Sequence, residues 1–361
     1  MMETLNHNYC IILAGGNGRR LWPASQKDMP KQFIDFFGTG RTLLQQTYDR
    51  FVRFIPQDHI FVSTFEDYVP LVKQQLPQIA DNRILPEPVQ LNTAPAAIWG
   101  TWHTVLADAD ARVVVTPADQ LIQGEDQFEK QILRGLDYVG SHQNFLAMGV
   151  KPTHPNTAYG YIQMGEEEDG EKLYTVKSFS EKPAADYAQM FVDSGEFLWN
   201  TGIFLWKGDT LGHHLSSMAN RPDQSVEKVA QQMVTVAEEV SYVRSCIPEG
   251  LPRSIDLLVL EHCPNVIVQQ CDFGWADVGC WTELRSVSKT DVDGNAISGG
   301  AKVMLQGTQR CMVRLPKNMK AVIAGLDGYV VAQENDTLLI CPNADADAIR
   351  RLINEAMFAE A

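Results

Sequence analysis

Along the first 150 residues, short unbroken apolar runs alternate with segments whose apolar positions recur every three or four residues. Residues 9–14 form a continuous run carrying Ile11 and Ile12, with the length and β-branching of a buried parallel strand. Leu43, Leu44, Thr47, Tyr48, Phe51 and Val52 follow at helical spacing, and 60–63 reads as the next strand. Further strands are predicted at 83–85, 112–116 and 145–150, separated by helical patterns at 96–106 and 127–139. This βαβα order predicts an α/β fold, doubly wound around a mixed, mostly parallel sheet. In such sheets ligands sit at the carboxyl ends of the strands.

From about residue 157 the pattern changes to strand pairs at 159–164, 173–179 and 199–206. Helices are predicted within 209–240 and at 254–262, before a strand at 265–270. Beyond Lys289 the runs shorten to 303–305, 312–315, 321–324, 329–332 and 337–340, divided by Gly, Asn and Asp turns, with a closing helix at 345–356. At 361 residues the chain exceeds the roughly 250–300 over which one core usually grows. The reading is a large domain at 1–290 and a small β-rich domain at 291–361 that needs support from the main domain or a second subunit.

Composition is that of an ordinary globular protein, 45% hydrophobic and 21% charged. A net charge of −15 argues against nucleic acid as a partner, because that binding needs a broad basic surface. A small anionic ligand stays compatible, since surface carboxylates beyond about 8 Å are screened at physiological salt. No apolar run reaches the roughly 18 residues of a membrane helix, and no secretory signal is visible. Seven cysteines without regular spacing fit reduced thiols in a cytoplasm better than a disulfide or zinc framework.

The candidate chemistry begins at the end of the first strand, in CIILAGGNGRRLWPASQKDMPK. Gly15, Gly16 and Gly18 make a turn that can aim amide N–H groups at phosphate oxygens. Arg19, Arg20, Lys27 and Lys31 set four positive charges against one acid, Asp28. Leu21 stands where a GxGxxG dinucleotide motif needs glycine, and no Gly-Lys-Ser/Thr follows. Asp119, just past the strand at 112–116, is placed either to hold Mg²⁺ or to cap a helix. Asp277, in DFGWADVGCW, is the second carboxylate, with Asp272 its rival. Two carboxylates on one pocket bind a hard divalent ion that neutralises a triphosphate under attack. Glu181 and Lys182, before a turn at Pro183, suit a sugar phosphate, or form an exposed surface pair. Trp199 and Asn200 suit a sugar, and Asn92 and Thr93 a nucleotide base, or both segments form turns. No nucleophile-plus-base arrangement stands out, which favours direct phosphoryl or nucleotidyl transfer.

Eight segments in order resemble the sugar-1-phosphate nucleotidylyltransferases, most nearly their GTP- and mannose-1-phosphate-using branch. They are LAGGNGRRLWPAS with PKQF, EPVQLNTAPA, VVVTPADQLI, YGYI, VKSFSEKP, WNTGIF, SIDLLVLE and DFGWADVGCW. The resemblance implies that Arg20 and Lys31 contact the triphosphate, and that Asp119 and Asp277 hold Mg²⁺. It places Gly15, Gly16, Gly18, Asn92 and Thr93 at the nucleotide, and Gly160, Glu181, Lys182 and Asn200 at the sugar phosphate. It also implies a short left-handed β-helix-like C-terminal domain, and the short tail itself makes a homodimer through the C-terminal region the expectation. The alternatives are another hexose 1-phosphate or nucleotide, or a non-catalytic regulatory subunit binding sugar nucleotides. Four positions depart from the family pattern: Leu91 for Arg, Gln120 for His, His262 for Lys and Cys280 for Ser. Leu91 matters most, as a cation lost near the nucleotide.

Overall fold

The computed structural model describes residues 7–168, 172–218, 235–246, 253–343, 349, 351–352 and 354–355. The chain folds into two compact units, one comprising 1–15, 48–118 and 122–275, the other 16–47, 119–121 and 276–361. These units divide the chain differently from a linear boundary near 290. The C-terminal strands share a unit with the loop after the first strand and with 276–290.

The strands are β1 Asn8–Leu13, β2 Ile60–Phe65, β3 Ile84–Glu87, β4 Arg112–Pro117, β5 Leu121–Gln123, β6 Phe145–Val150, β7 Gly160–Glu168, β8 Leu173–Glu181, β9 Phe197–Lys207 and β10 Val266–Cys271. All but β5 form one nine-stranded sheet in the first unit, in the order β3-β2-β1-β4-β9-β6-β10-β8-β7. Four strands, β3 to β4, run parallel, and β10 is parallel to β6. β9 enters antiparallel between β4 and β6, and β7 and β8 pair antiparallel. The sheet is therefore mixed, with its parallel region concentrated around β1. Alternating elements predict neighbours only where no later strand is inserted, and β9 supplies that insertion.

β1 reads as a run because it is buried on both faces, as a central parallel strand requires. Helix Thr93–Ala107 packs Trp99, Ala97 and Ala94 into the same core as Ile11, Val113 and Phe204. Helices Gly208–Met218, Val236–Cys246 and Ile255–His262 answer the helical patterns there, while 219–234 lies outside the described residues.

In the second unit, β12 Ala296–Ser298, β14 Met312–Arg314 and β16 Tyr329–Glu334 pair in parallel, and β17 Thr337–Pro342 closes antiparallel on β16. β13 Lys302–Gln306 is parallel to β15 Lys320–Ala324. (β11 is Gly274–Ala276.) Their core joins Met312, Val330 and Leu339 to Leu21, Phe36, Val278 and Trp281. Of the expected helix at 345–356, residues 349, 351–352 and 354–355 are helical, and the rest lies outside the described residues. Among the described residues no helix is long and apolar enough to cross a membrane.

Candidate functional site

The second unit brings Arg20, Lys31, Asp119 and Asp277 together. After β1 the chain folds back on itself. Gln32 Nε2 donates to the Gly16 carbonyl at 3.0 Å, and Ser25 Oγ to that of Asn17 at 3.2 Å. Gly18 has φ +59°, in the left-handed region that glycine adopts without cost. A Cβ there would stand 2.8 Å from Lys31 Cβ and 2.6 Å from Ser25 Oγ. Gly18 thus makes room for the Lys31 stem, whereas a Cβ on Gly16 would meet nothing within 4 Å. Leu21 and Ala24 anchor the loop in the same apolar cluster as Val278, Trp281 and Leu284. Trp281 Nε1 also donates to the Trp22 carbonyl at 3.0 Å.

On that scaffold the Lys31 ammonium lies 3.0 Å from Asp119 Oδ2 and 3.9 Å from Asp277 Oδ1. It also donates to the Asp277 carbonyl at 3.3 Å. Arg20 Nη2 is 3.9 Å from Asp277 Oδ2. The Lys31 side chain is 8% exposed. Burial alone would push its pKa down, but Asp119 and Asp277 outweigh burial and hold it above the ordinary value. Burial and the Asp277 charge raise the Asp119 carboxyl, with Lys31 pulling against them. Asp119 precedes β5 and caps no helix. Asp272, the rival carboxylate, belongs to the first unit and makes an exposed ion pair with Lys172 at 2.9 Å.

Val278 shapes the turn that carries Asp277. It has φ +51°, an outlying conformation for a β-branched residue, while its side chain is fully buried. At Gly279 a Cβ would stand 2.5 Å from Asp277 Oδ2 and 2.9 Å from Arg20 Nη2. The Gly279 N–H donates to Glu283 Oε2 at 2.7 Å. Neither Val278 nor Glu283 was legible as a site residue, since an apolar residue in a turn reads as packing and an acidic residue in a helical segment reads as surface.

The other candidates belong to the first unit. Glu181 ends β8, and Lys182 follows at φ +48° with its ammonium paired to the Glu181 carboxylate. Gly160 lies opposite Glu181 across β7 and β8, and a Cβ there would meet Glu181 Oε2 at 2.8 Å. Asn200, on β9, accepts from the Gly202 N–H at 3.0 Å and donates to Asp256 Oδ1 at 2.7 Å. Around it, Tyr159 meets Trp199 and Trp275 edge-on, with ring centroids 5.1 and 5.0 Å apart. Asn92 caps helix Thr93–Ala107 by accepting from the Thr93 N–H at 2.8 Å, and Thr93 Oγ1 accepts from the Ile255 N–H at 2.9 Å. Asn92 therefore serves the turn, and Thr93 ties its helix to the segment before helix Ile255–His262.

Gly15 lies over Glu87, whose oxygens would be 3.6 Å from a Cβ there. Glu87 is buried, accepts from Ser63 Oγ and the Leu91 N–H, and has its pKa raised by burial. The EPVQ motif contains it, but a carboxylate before proline carries no signal of burial. Leu91 is 2% exposed and part of the apolar core, so this departure places no side chain among the polar groups.

The class follows from comparison with known proteins. Residues 9–294 match the nucleotidyl transferase family, and the chain belongs to that family of nucleotidyl-transferring enzymes. It is 31% identical over 348 residues to a putative mannose-1-phosphate guanylyltransferase of Vibrio cholerae serotype O1 (strain ATCC 39315 / El Tor Inaba N16961), spanning 95% of this chain and 73% of that one. It is 33% identical to the alginate biosynthesis protein AlgA of Pseudomonas fluorescens, over 95% of this chain and 71% of AlgA. A crystal structure from Thermus thermophilus, described as a mannose-1-phosphate geranyltransferase, superposes with a TM-score of 0.83 at 28% identity, covering 97% of this chain and 99% of that one.

Proposed function

We propose that the protein is a mannose-1-phosphate guanylyltransferase, joining GTP and α-D-mannose 1-phosphate to give GDP-mannose and diphosphate. The observation that carries this reading is the Lys31 ammonium set between Asp119 and Asp277, with Arg20 beside it. An oxygen of the sugar phosphate attacks the α-phosphorus of GTP. The bond from that phosphorus to the bridging oxygen breaks, and diphosphate leaves with the electron pair. The chain supplies positioning and charge, which are what such a transfer requires. Arg20 and Lys31 bind the triphosphate and stabilise the departing diphosphate. Glu181 and Asn200 take sugar hydroxyls, Lys182 the sugar phosphate, and Gly160 the space beside them. Gly15, Gly16 and Gly18, with Asn92 and Thr93, border the nucleotide.

Asp119 and Asp277 would hold Mg²⁺. Two hard carboxylates fit an ion that takes its remaining ligands from phosphate and water. When bound, Mg²⁺ supplies neutralisation of charge on the phosphoryl oxygens.

The parallel pairings of β12, β14 and β16 and of β13 and β15 support a short left-handed β-helix-like domain at 291–361. We read that domain as the contact of a homodimer. Seven cysteines without regular spacing support a cytoplasmic setting. The test is a diphosphate-release assay crossing four nucleoside triphosphates with several hexose 1-phosphates, with and without Mg²⁺. Release with GTP and mannose 1-phosphate above every other combination, abolished by EDTA, is expected. Preference for another pair reassigns the substrates, and nucleotide binding without any release makes the chain a regulatory subunit.

A further inference from the structure

Asp256 has no role in the chemistry above, although its surroundings are built around it. It stands in the first turn of helix Ile255–His262, within SIDLLVLE, and is half-buried. Its Oδ1 accepts from Asn200 Nδ2 at 2.7 Å, and its Oδ2 accepts from Ser254 Oγ at 3.0 Å. The Gly202 N–H donating to Asn200 Oδ1 at 3.0 Å decides which end of that amide is oxygen. A carboxylate can only accept, so Asp256 takes the nitrogen end and locks the plane of a side chain that is 9% exposed. One amide hydrogen of Asn200 takes part in neither bond. The same short segment is tied to helix Thr93–Ala107, through the Ile255 N–H to Thr93 Oγ1 at 2.9 Å and the Ala94 N–H to the Arg253 carbonyl at 2.8 Å.

We propose that Asp256 is a positioning residue for hexose recognition: it holds the Asn200 amide so that the second N–H is presented as a donor to a sugar hydroxyl. Asp256 does not itself touch the sugar. The inference rests on the reading of Asn200 as a sugar ligand. A side chain bonded by a charged acceptor is held more firmly than one bonded by a neutral group. Losing that acceptor frees the amide to rotate and removes the donor from its place.

The experiment measures the Kd of mannose 1-phosphate by calorimetry beside steady-state KM values, in the full chain. Asp256→Ala is expected to weaken mannose 1-phosphate about tenfold, with the KM for GTP within twofold of wild type. Asp256→Asn retains an acceptor and is expected to recover most of the loss. Asn200→Ala combined with Asp256→Ala is expected to be no worse than Asn200→Ala alone, because the two act as one unit. The exchanged double variant, Asn200→Asp with Asp256→Asn, restores the bond between the two positions but turns the presented donor into an acceptor. It is expected to regain Tm while sugar-phosphate binding stays weak, and it decides the matter if Asp256→Ala does not fold. Equal weakening of GTP and sugar phosphate, additive losses, or full binding in the exchanged variant would overturn the proposal. Wild type that binds mannose 1-phosphate but releases no diphosphate defeats the enzymatic reading and leaves this one measurable. Wild type that binds no hexose 1-phosphate defeats both.

Discussion

Lys31 is a cation nearly withdrawn from water, stabilised there because two carboxylates replace the lost hydration. Its raised pKa means that this contribution is complete below the ordinary lysine value of 10.5 and is lost as pH rises through the higher one. In Lys31→Met the Asp119 carboxylate loses its partner and its own pKa rises further. The folded state then holds that proton more tightly than the unfolded chain, where aspartate titrates near 3.9. The variant therefore loses stability as pH increases, by about 1–3 kcal/mol at pH 8. Thermal unfolding should show a gap from wild type that widens as pH is raised from about 4, and a gap that stays constant from about pH 3 to about pH 8 would remove the proposed coupling. For activity, Asp119→Asn and Arg20→Ala should each lower kcat/KM at least about a hundredfold, as lost charge stabilisation does. A value within a few-fold of wild type in the diphosphate assay would reject the assigned roles. Asp119 and Asp277 were legible as candidates from their place after apolar strands. Asp256 and Glu87 were not, because only neighbouring donors reveal what a carboxylate is for.

The loop from Gly16 to Phe33 is the element on which the candidate site depends, and its glycines do different work. Gly18 combines a left-handed backbone with close contact to the Lys31 stem. Gly18→Ala should therefore cost about 1–3 kcal/mol of stability and displace Lys31, lowering Tm and kcat together. Gly16 has an ordinary φ and open space around it, so Gly16→Ala should leave stability within about 0.5 kcal/mol of wild type. A loss of GTP affinity in that variant would then report a ligand against the backbone; unchanged affinity would remove Gly16 from the nucleotide site. Trp281 and Leu21 belong to the packing that holds this loop, and truncating Trp281 to alanine should cost about 3–5 kcal/mol. The strands were readable because burial on both faces leaves an uninterrupted apolar run. The insertion of β9 was not, since strand order depends on pairing partners far away in the chain.

At the scale of the whole molecule, the C-terminal strands leave apolar side chains in water. Met304 and Val322 are 56% and 70% exposed and face each other in register across β13 and β15. Leu338 and Ile340 are similarly exposed on β17. Contiguous exposed apolar surface marks association sites. Sedimentation at micromolar concentration should give a dimer, and Met304→Glu with Val322→Glu should give a monomer whose Tm is little changed. A wild-type monomer, or a dimer indifferent to both substitutions, would place the contact elsewhere or abolish it.

Sequence alone determined the main strands of the large sheet, the glycine and basic loop after β1, the carboxylates worth testing and the kinship to nucleotidyl-transferring enzymes, while helix Ala185–Ser194 went unread. Those properties are written in local periodicity, in residue chemistry and in the order of short motifs. Tertiary structure alone decided that Lys31 stands between Asp119 and Asp277, that Leu91 points into the core, and that Asn200 leans on Asp256. Each of these depends on residues far apart in the chain, brought together by the core of the unit in which they sit. Spacing along a chain holds no record of such distances until the core that imposes them has formed.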